Sequence, residues 1–204
     1  RDMDADAIDK AAAAIADNRI DRLKLDTLDA AMRPMDLDDA YTVQERHNVI
    51  LAERGLGALV GYKIGCTTPV MQEYMNIHEP SFGEVFAPTV HRNYAEFVFA
   101  DCVNPGIECE IAVTLGSDLP AGGTPYTRDS VCDTISAVMA SIELVEARYR
   151  DYRQLDTPTM VADNFFNAAV ILGEPVTDWQ HIDLAEVEGT IQLNGAFHAS
   201  GKGS

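Results

Sequence analysis

The chain has 204 residues, 47% of them hydrophobic and 24% charged, which is the balance of an ordinary globular protein with enough apolar material for a sizeable core. Its 33 acidic side chains outnumber the 15 basic ones and give a formal charge of −18, spread along the chain, so phosphate backbones and anionic lipid are disfavoured as partners. No apolar run approaches the roughly 20 residues that span a bilayer, and the opening Arg1-Asp2-Met3-Asp4 lacks the order of a secretory signal, so a cytoplasmic location is expected.

From Met3 to about Arg33 the sequence is Ala-rich, and Ile8, Ala11, Ala12, Ile15 and Ile20 recur at helical spacing, which predicts an amphipathic helix that breaks near Pro34. A second helix is expected from about Asp38 to Arg54, where Ala40, Val43, His47, Ile50 and Leu51 share one face and Gly55 can cap the end. After Gly57 the texture changes to short apolar runs divided by Gly, Pro, Asn and Asp. Ala58 to Ile64, Gly83 to Phe86, Glu96 to Phe99, Ile107 to Leu115 and Thr190 to Leu193 read as strands, so the fold class is α+β with largely non-parallel sheets. Val131 to Ala140 reads as helix, whereas Ser141 to Tyr149 fits either a helix or a strand. Cys66, Cys102, Cys109 and Cys132 form no CxxC pair and lack a His at zinc spacing, so they read as reduced, partly buried thiols.

Chemistry concentrates in Pro105-Gly106-Ile107-Glu108-Cys109-Glu110-Ile111-Ala112-Val113. Residues two apart on a strand share a face, so Glu108 and Glu110 point one way and Ile107, Cys109 and Ile111 the other. Two like charges this close raise each other's pKa unless a cation sits between them, and hard oxygen ligands suit magnesium, manganese or calcium. An alternating strand with a solvated face also produces Glu-x-Glu. Glu143, flanked by apolar Ile142 and Leu144, is the candidate third carboxylate, and three such groups would leave positions open for water and substrate. Lys63 lies in an apolar segment bounded by Gly61 and Gly65; beside a carboxylate cluster it is a candidate proton donor, anion clamp or Schiff-base amine, and otherwise a lysine snorkelling from a strand edge.

An ordered series of motifs carries a resemblance: Ala40-Tyr41-Thr42-Val43-Gln44, Gly61 through Thr67, Pro80-Ser81-Phe82-Gly83, Glu108 through Ala112, Glu143 through Arg148, Ala162-Asp163-Asn164 and Ile171-Leu172-Gly173. Over roughly residues 37 to 204 the chain resembles the 2-keto-4-pentenoate hydratase and 4-oxalocrotonate decarboxylase family of the fumarylacetoacetate hydrolase superfamily. The resemblance implies a mixed β-sandwich or roll of that superfamily's type with N-terminal helices: a helical region over 1–56 and a metal-binding catalytic β-rich domain over 57–204. It further implies Mg2+ or Mn2+ on Glu108, Glu110 and Glu143, Lys63 in the active site, Thr67 near the substrate carboxylate, and a homo-oligomer. Ala147 stands where the family has a serine, and Phe165-Phe166 where it has a small polar residue. Family members also continue past the position of Gly201 to Ser204 through a Gly-His-Pro segment that this sequence does not carry.

The activity this implies is hydration of a 2-hydroxy-2,4-dienoate to a 4-hydroxy-2-oxo acid, in the catabolism of aromatic or steroid rings. Decarboxylation of a 2-oxo dioic acid would use the same ligands and is the alternative. Hydrolysis of an acylpyruvate, with His78 and Glu79 as the water-activating pair, ranks third, and a non-catalytic family member is the remaining reading.

Overall fold

The computed structural model describes residues 3–75, 77–123 and 125–203; Arg1, Asp2 and Ser204 at the ends of the predicted regions lie outside them. Helix α1 spans Ala5–Asp21, and the Asp4 carboxylate caps it by accepting from the Ala7 N–H at 2.9 Å. It is shorter than the predicted helix to Arg33. Arg22 takes a left-handed conformation (φ 55°) and closes the helix by donating its N–H to the Asn18 carbonyl. The chain beyond it runs across the protein, where Leu25 pairs with Tyr149 and Leu28 is buried.

Helix α2 spans Leu37–Leu51, capped by Asp36, and buries the predicted face of Ala40, Val43, His47, Ile50 and Leu51. It stops short of Arg54 because residues Ala52–Leu56 widen into a turn in which Gly55 adopts φ 98°. Buried Ala11, Ala12 and Ile15 of α1 and Val43 and Leu51 of α2 form one core with Phe86 and Ala162, so the helical pair packs on the strand region.

Strand β1 (Leu59–Gly65) pairs antiparallel with β2 (Ser81–Phe86), and the short helix α3 (Pro69–Met75) lies between them in the chain. Strand β3 is short (Val90–Arg92). The strand expected at Glu96 to Phe99 does not form: the segment has no pairing partner, Val98 and Phe99 are exposed, and Phe99–Asp101 makes a tight helical turn.

Strand β4 (Pro105–Leu115) runs the length of β5 (Ile135–Glu146). The predicted helix over Val131 to Ala140 is therefore corrected. Only Arg128–Cys132 is helical (α4), and the Ile-Ser-Ala-Val-Met-Ala stretch that follows is recruited into β5 by its long neighbour, where pairing outweighs the helix propensity of Ala and Met. Ser141 to Glu146, which fits either period in sequence, is strand. After the one-and-a-half-turn helix α5 (Thr157–Ala162), strand β6 (Asn167–Leu172) completes a sheet ordered β3-β6-β5-β4, in which only β3 and β6 run parallel. Strands β7 (Glu188–Leu193) and β8 (Ala196–Lys202) form a hairpin turned by Asn194-Gly195, both at positive φ.

All four cysteines are free. Cys66 is buried and Cys102 and Cys132 half-buried, but Cys109 is exposed, because it points from the β4 face opposite to Glu108 and Glu110. No helix of the described residues is long and apolar enough to cross a membrane.

Candidate metal centre

The β4–β5 register sets Glu108 directly opposite Glu143 and Glu110 opposite Ser141, so all three glutamates rise from one face of adjacent strands. Each offers a carboxylate oxygen, and these oxygens lie within 4.8 Å of one another. Glu143 is fully buried, Glu110 half-buried, and Glu108 keeps an exposed side toward solvent.

Lys63, in the middle of β1, brings its Nζ to 3.2 Å from Glu143 Oε2, and both side chains are buried. The contact is an ion pair rather than a directed hydrogen bond, and Glu143 Oε2 has no hydrogen-bond donor. Its other oxygen, Oε1, accepts from Asn167 Nδ2 at 2.8 Å. Lys63 brings one positive charge to three clustered carboxylates, so much of the negative charge is left for a further cation to compensate.

Electrostatics agree with that geometry. Loss of water pushes the Glu110 carboxyl up to about 7, with Glu143 and then Glu108 adding repulsion that Lys63 only partly offsets. Glu108 is pushed up in the same way: its carboxyl end is crowded by burial, Lys63 draws it back, and Glu143 raises it further. Hard oxygen donors, an undonated buried oxygen and carboxyls held above their ordinary range together fit a divalent ion such as Mg2+ or Mn2+.

The neighbourhood of Lys63 is shaped by backbone that few residues adopt. Asn164, Phe165 and Phe166 all have positive φ (50°, 48° and 66°), and this turn lays the Phe165 ring 5.1 Å from Lys63 Nζ in a cation–π contact. Two glycines admit the turn. A Cβ on Gly83 would sit 2.5 Å from the Asn164 carbonyl oxygen, and one on Gly65 would just touch the Phe165 ring at 3.4 Å. Asn164 is fixed in turn by accepting the Glu84 N–H at 3.0 Å on its Oδ1.

Of the residues singled out in the sequence, Glu108, Glu110, Glu143 and Lys63 are brought together. Thr67 is exposed just past Cys66, whose thiol feels both Lys63 and Glu108, but Thr67 makes no hydrogen bond to any of the four among the described residues. His78 and Glu79 lie in an exposed bend between α3 and β2. Arg148 is buried and donates to Asp163 Oδ1 at 2.6 Å, and among the described residues it pairs with none of the three glutamates. Sequence reasoning missed Asn167, whose signal is a polar residue opening an otherwise apolar strand, and gave Phe165 no place beside Lys63.

No family profile matches the chain. It is 32% identical to a 2-keto-4-pentenoate hydratase of Paraburkholderia phymatum, over 98% of this chain and 75% of that protein. A 2-keto-4-pentenoate hydratase of Burkholderia vietnamiensis is 33% identical over 81% of this chain, and a 2-hydroxyhexa-2,4-dienoate hydratase of Comamonas testosteroni 31% identical over 83%. The chain spans 62% and 64% of the length of those two relatives. In shape it matches 4-oxalocrotonate decarboxylase of Pseudomonas putida G7, solved with magnesium and adipate, at a TM-score of 0.86 and 23% identity, covering 100% of this chain and 76% of that one. The same decarboxylase solved with calcium and acetate gives a TM-score of 0.85. The mixed architecture with N-terminal helices is thus the fold of 4-oxalocrotonate decarboxylase, and the chain belongs to the 2-keto-4-pentenoate hydratase family.

Proposed function

We propose that this protein is a divalent-metal-dependent hydratase that adds water to a 2-hydroxy-2,4-dienoate and yields a 4-hydroxy-2-oxo acid. The observation that carries the reading is the convergence of Glu108, Glu110 and Glu143 on one ion-sized space with the Lys63 ammonium 3.2 Å from Glu143, in a chain whose relatives are hydratases. Glu108, Glu110 and Glu143 would hold Mg2+ or Mn2+. When bound, the ion supplies Lewis-acid stabilisation of negative charge developing on the 2-oxygen of the substrate.

The remaining work falls to the chain's own side chains. In ketonisation the proton of the 2-hydroxyl is lost and one is gained at C5, which leaves a double bond between C3 and C4 conjugated to the new 2-oxo group. Water then adds its oxygen to C4 and a proton to C3. Lys63 Nζ, 3.2 Å from Glu143 Oε2, would be the donor to the 2-oxygen of a substrate held at the ion, and would hold that oxygen and relay protons at it. The Glu143 carboxylate would keep the ammonium oriented, and the Phe165 ring, 5.1 Å from Nζ, would offer an apolar surface to the hydrocarbon part of the substrate. Thr67, on the loop that leaves β1, would meet the substrate carboxylate. Residues 57–204 would form the catalytic part, with 1–56 bracing it through the shared core around Phe86. On the sheet face opposite to the glutamates, exposed Ile107, Val113 and Ile142 support assembly with further copies of the chain.

Decarboxylation of a 2-oxo dioic acid stays as the second reading, because the same three ligands would stabilise the dienolate it leaves, and the shape match is to such an enzyme. Incubation with Mg2+ and 2-hydroxypenta-2,4-dienoate tests the choice. Loss of the conjugated diene absorbance with appearance of 4-hydroxy-2-oxopentanoate is expected, with little carbon dioxide from 2-oxohex-3-enedioate; the reverse pattern would overturn the hydratase reading.

A further inference from the structure

Glu143 is not free to present either oxygen to the cluster. Its Oε1 accepts the 2.8 Å hydrogen bond from Asn167, and both residues are buried. The placement of Asn167 depends on an irregularity in the sheet. Leu144 pairs with Ala169, but the next residue of β5, Val145, pairs with Asn167 rather than Ala168. This is a β-bulge with Ala168 as the extra residue. In a regular ladder Ala168 would take the position opposite Val145, on the face that carries Glu143. The bulge puts Asn167 there instead.

The amide is used one-sidedly. Its Nδ2 donates to Glu143, while its buried Oδ1 has no hydrogen-bond donor among the described residues. An asparagine retained only to satisfy the interior would spend both ends. The competing partner is also in view, since Lys63 stands 3.2 Å from Oε2. Without the amide, the carboxylate could turn about its terminal bond and offer both oxygens to the ammonium, withdrawing from Glu108 and Glu110.

We propose that Asn167 is a positioning residue of the metal site. By occupying Oε1 it leaves Oε2 as the single oxygen that Glu143 offers to a divalent ion, and it holds that oxygen toward Glu108 and Glu110. The inference rests on the metal reading given under the proposed function, and the two fail separately.

The test is binding of Mn2+ alone to the full chain, followed by the electron paramagnetic resonance of the free ion, with no substrate and no turnover. Asn167→Leu keeps the side-chain volume and removes the donor; Asn167→Ala is the second variant should Leu not fold. Loss of a hydrogen bond that orients a ligand should weaken Mn2+ binding about tenfold or more. In a Glu143→Gln background, measured at millimolar Mn2+, the same change should alter binding by less than about twofold, because the residue through which Asn167 acts has already lost its charge. Mn2+ affinity within about twofold of the parent in both Asn167 variants, or an equal loss in the two backgrounds, overturns the proposal and assigns Asn167 to packing. A parent chain that binds no Mn2+ overturns the metal reading itself, and this inference with it.

Discussion

Glu108 and Glu143 face each other directly across β4 and β5, one on the solvent side of the cluster and the other fully buried. Like charges at opposed positions of an antiparallel pair destabilise the sheet. The arrangement is therefore a local cost in the metal-free chain, and Glu110, two residues along from Glu108, shares in it: burial first and the Glu143 charge second push its carboxyl up to about 7.

Glu110→Gln follows from this directly. Removing one anionic ligand should weaken Mg2+ or Mn2+ binding about a hundredfold and abolish metal-dependent turnover, with the fold kept. The folded pKa of Glu110 is raised from its ordinary value of 4.5 to about 7, so its ionisation costs stability above that range and the cost disappears as pH falls toward 4.5. The metal-free Gln variant should then be more stable than the parent above neutral pH, by about 1 kcal/mol after allowance for solvent, and equal to it in acid. Urea midpoints across pH check this; an unfolded variant would mark Glu110 as structural.

The same proton couples to the ion. Below about pH 7 a metal must displace it from Glu110, so apparent affinity should fall as pH drops, by about tenfold per unit for one proton, and level off above neutrality. Calorimetry with Mn2+ in two buffers of different ionisation enthalpy gives the proton count. Release of no proton near pH 6 would contradict the crowding described for the cluster.

How much of this could be read from the chain depends on which interactions fix each residue. Glu108 and Glu110 share a face by strand alternation alone, so their pairing is local and legible. Glu143 needs β4 and β5 to pair in one register, and its own segment fits both helix and strand, so its apolar flanks make it a candidate and the motif series strengthens it, but neither supplies the register. The Val131 to Ala140 helix was misread because Ala and Met propensities are local, whereas the eleven-residue neighbour β4 is not. Asn167 was hidden by a bulge, which shifts the face of a residue without a sequence marker as strong as Gly or Pro. Phe165 was hidden by a left-handed backbone that bulky side chains rarely adopt, and its enabling residue, Gly83, lies far away in the sequence.

Replacing Lys63 tests whether the chemistry can be separated from the binding. Lys63→Met should lower kcat by about a hundredfold or more if Nζ moves protons at the substrate oxygen, while Mn2+ affinity is kept or rises, since the lysine competes with the ion for Glu143 and is not a ligand. The metal-free variant should also lose stability, because Glu143 is left buried without its cation, and saturating Mn2+ should restore much of that loss. Normal turnover with normal metal binding would remove Lys63 from the mechanism even if the reaction is the one proposed.

Gly83→Ala tests the link between the backbone turn and the site from β2, where Gly83 is the cross-strand partner of Lys63. The added Cβ would fall 2.5 Å from the Asn164 carbonyl oxygen, a contact with backbone that no side-chain rotation can relieve, so either β2 retreats or the 164–166 turn moves. The cost should be about 1–3 kcal/mol, seen as a lower urea midpoint. Moving the turn takes the Phe165 ring away from Lys63 Nζ, whereas Glu108, Glu110 and Glu143 are held by the β4–β5 pairing and need not shift. Turnover should therefore fall while Mn2+ affinity is retained. Equal loss of both would show that the turn supports the carboxylates as well as the lysine, and an unchanged urea midpoint would show that β2 and the turn are not in the close contact on which the placement of Phe165 depends.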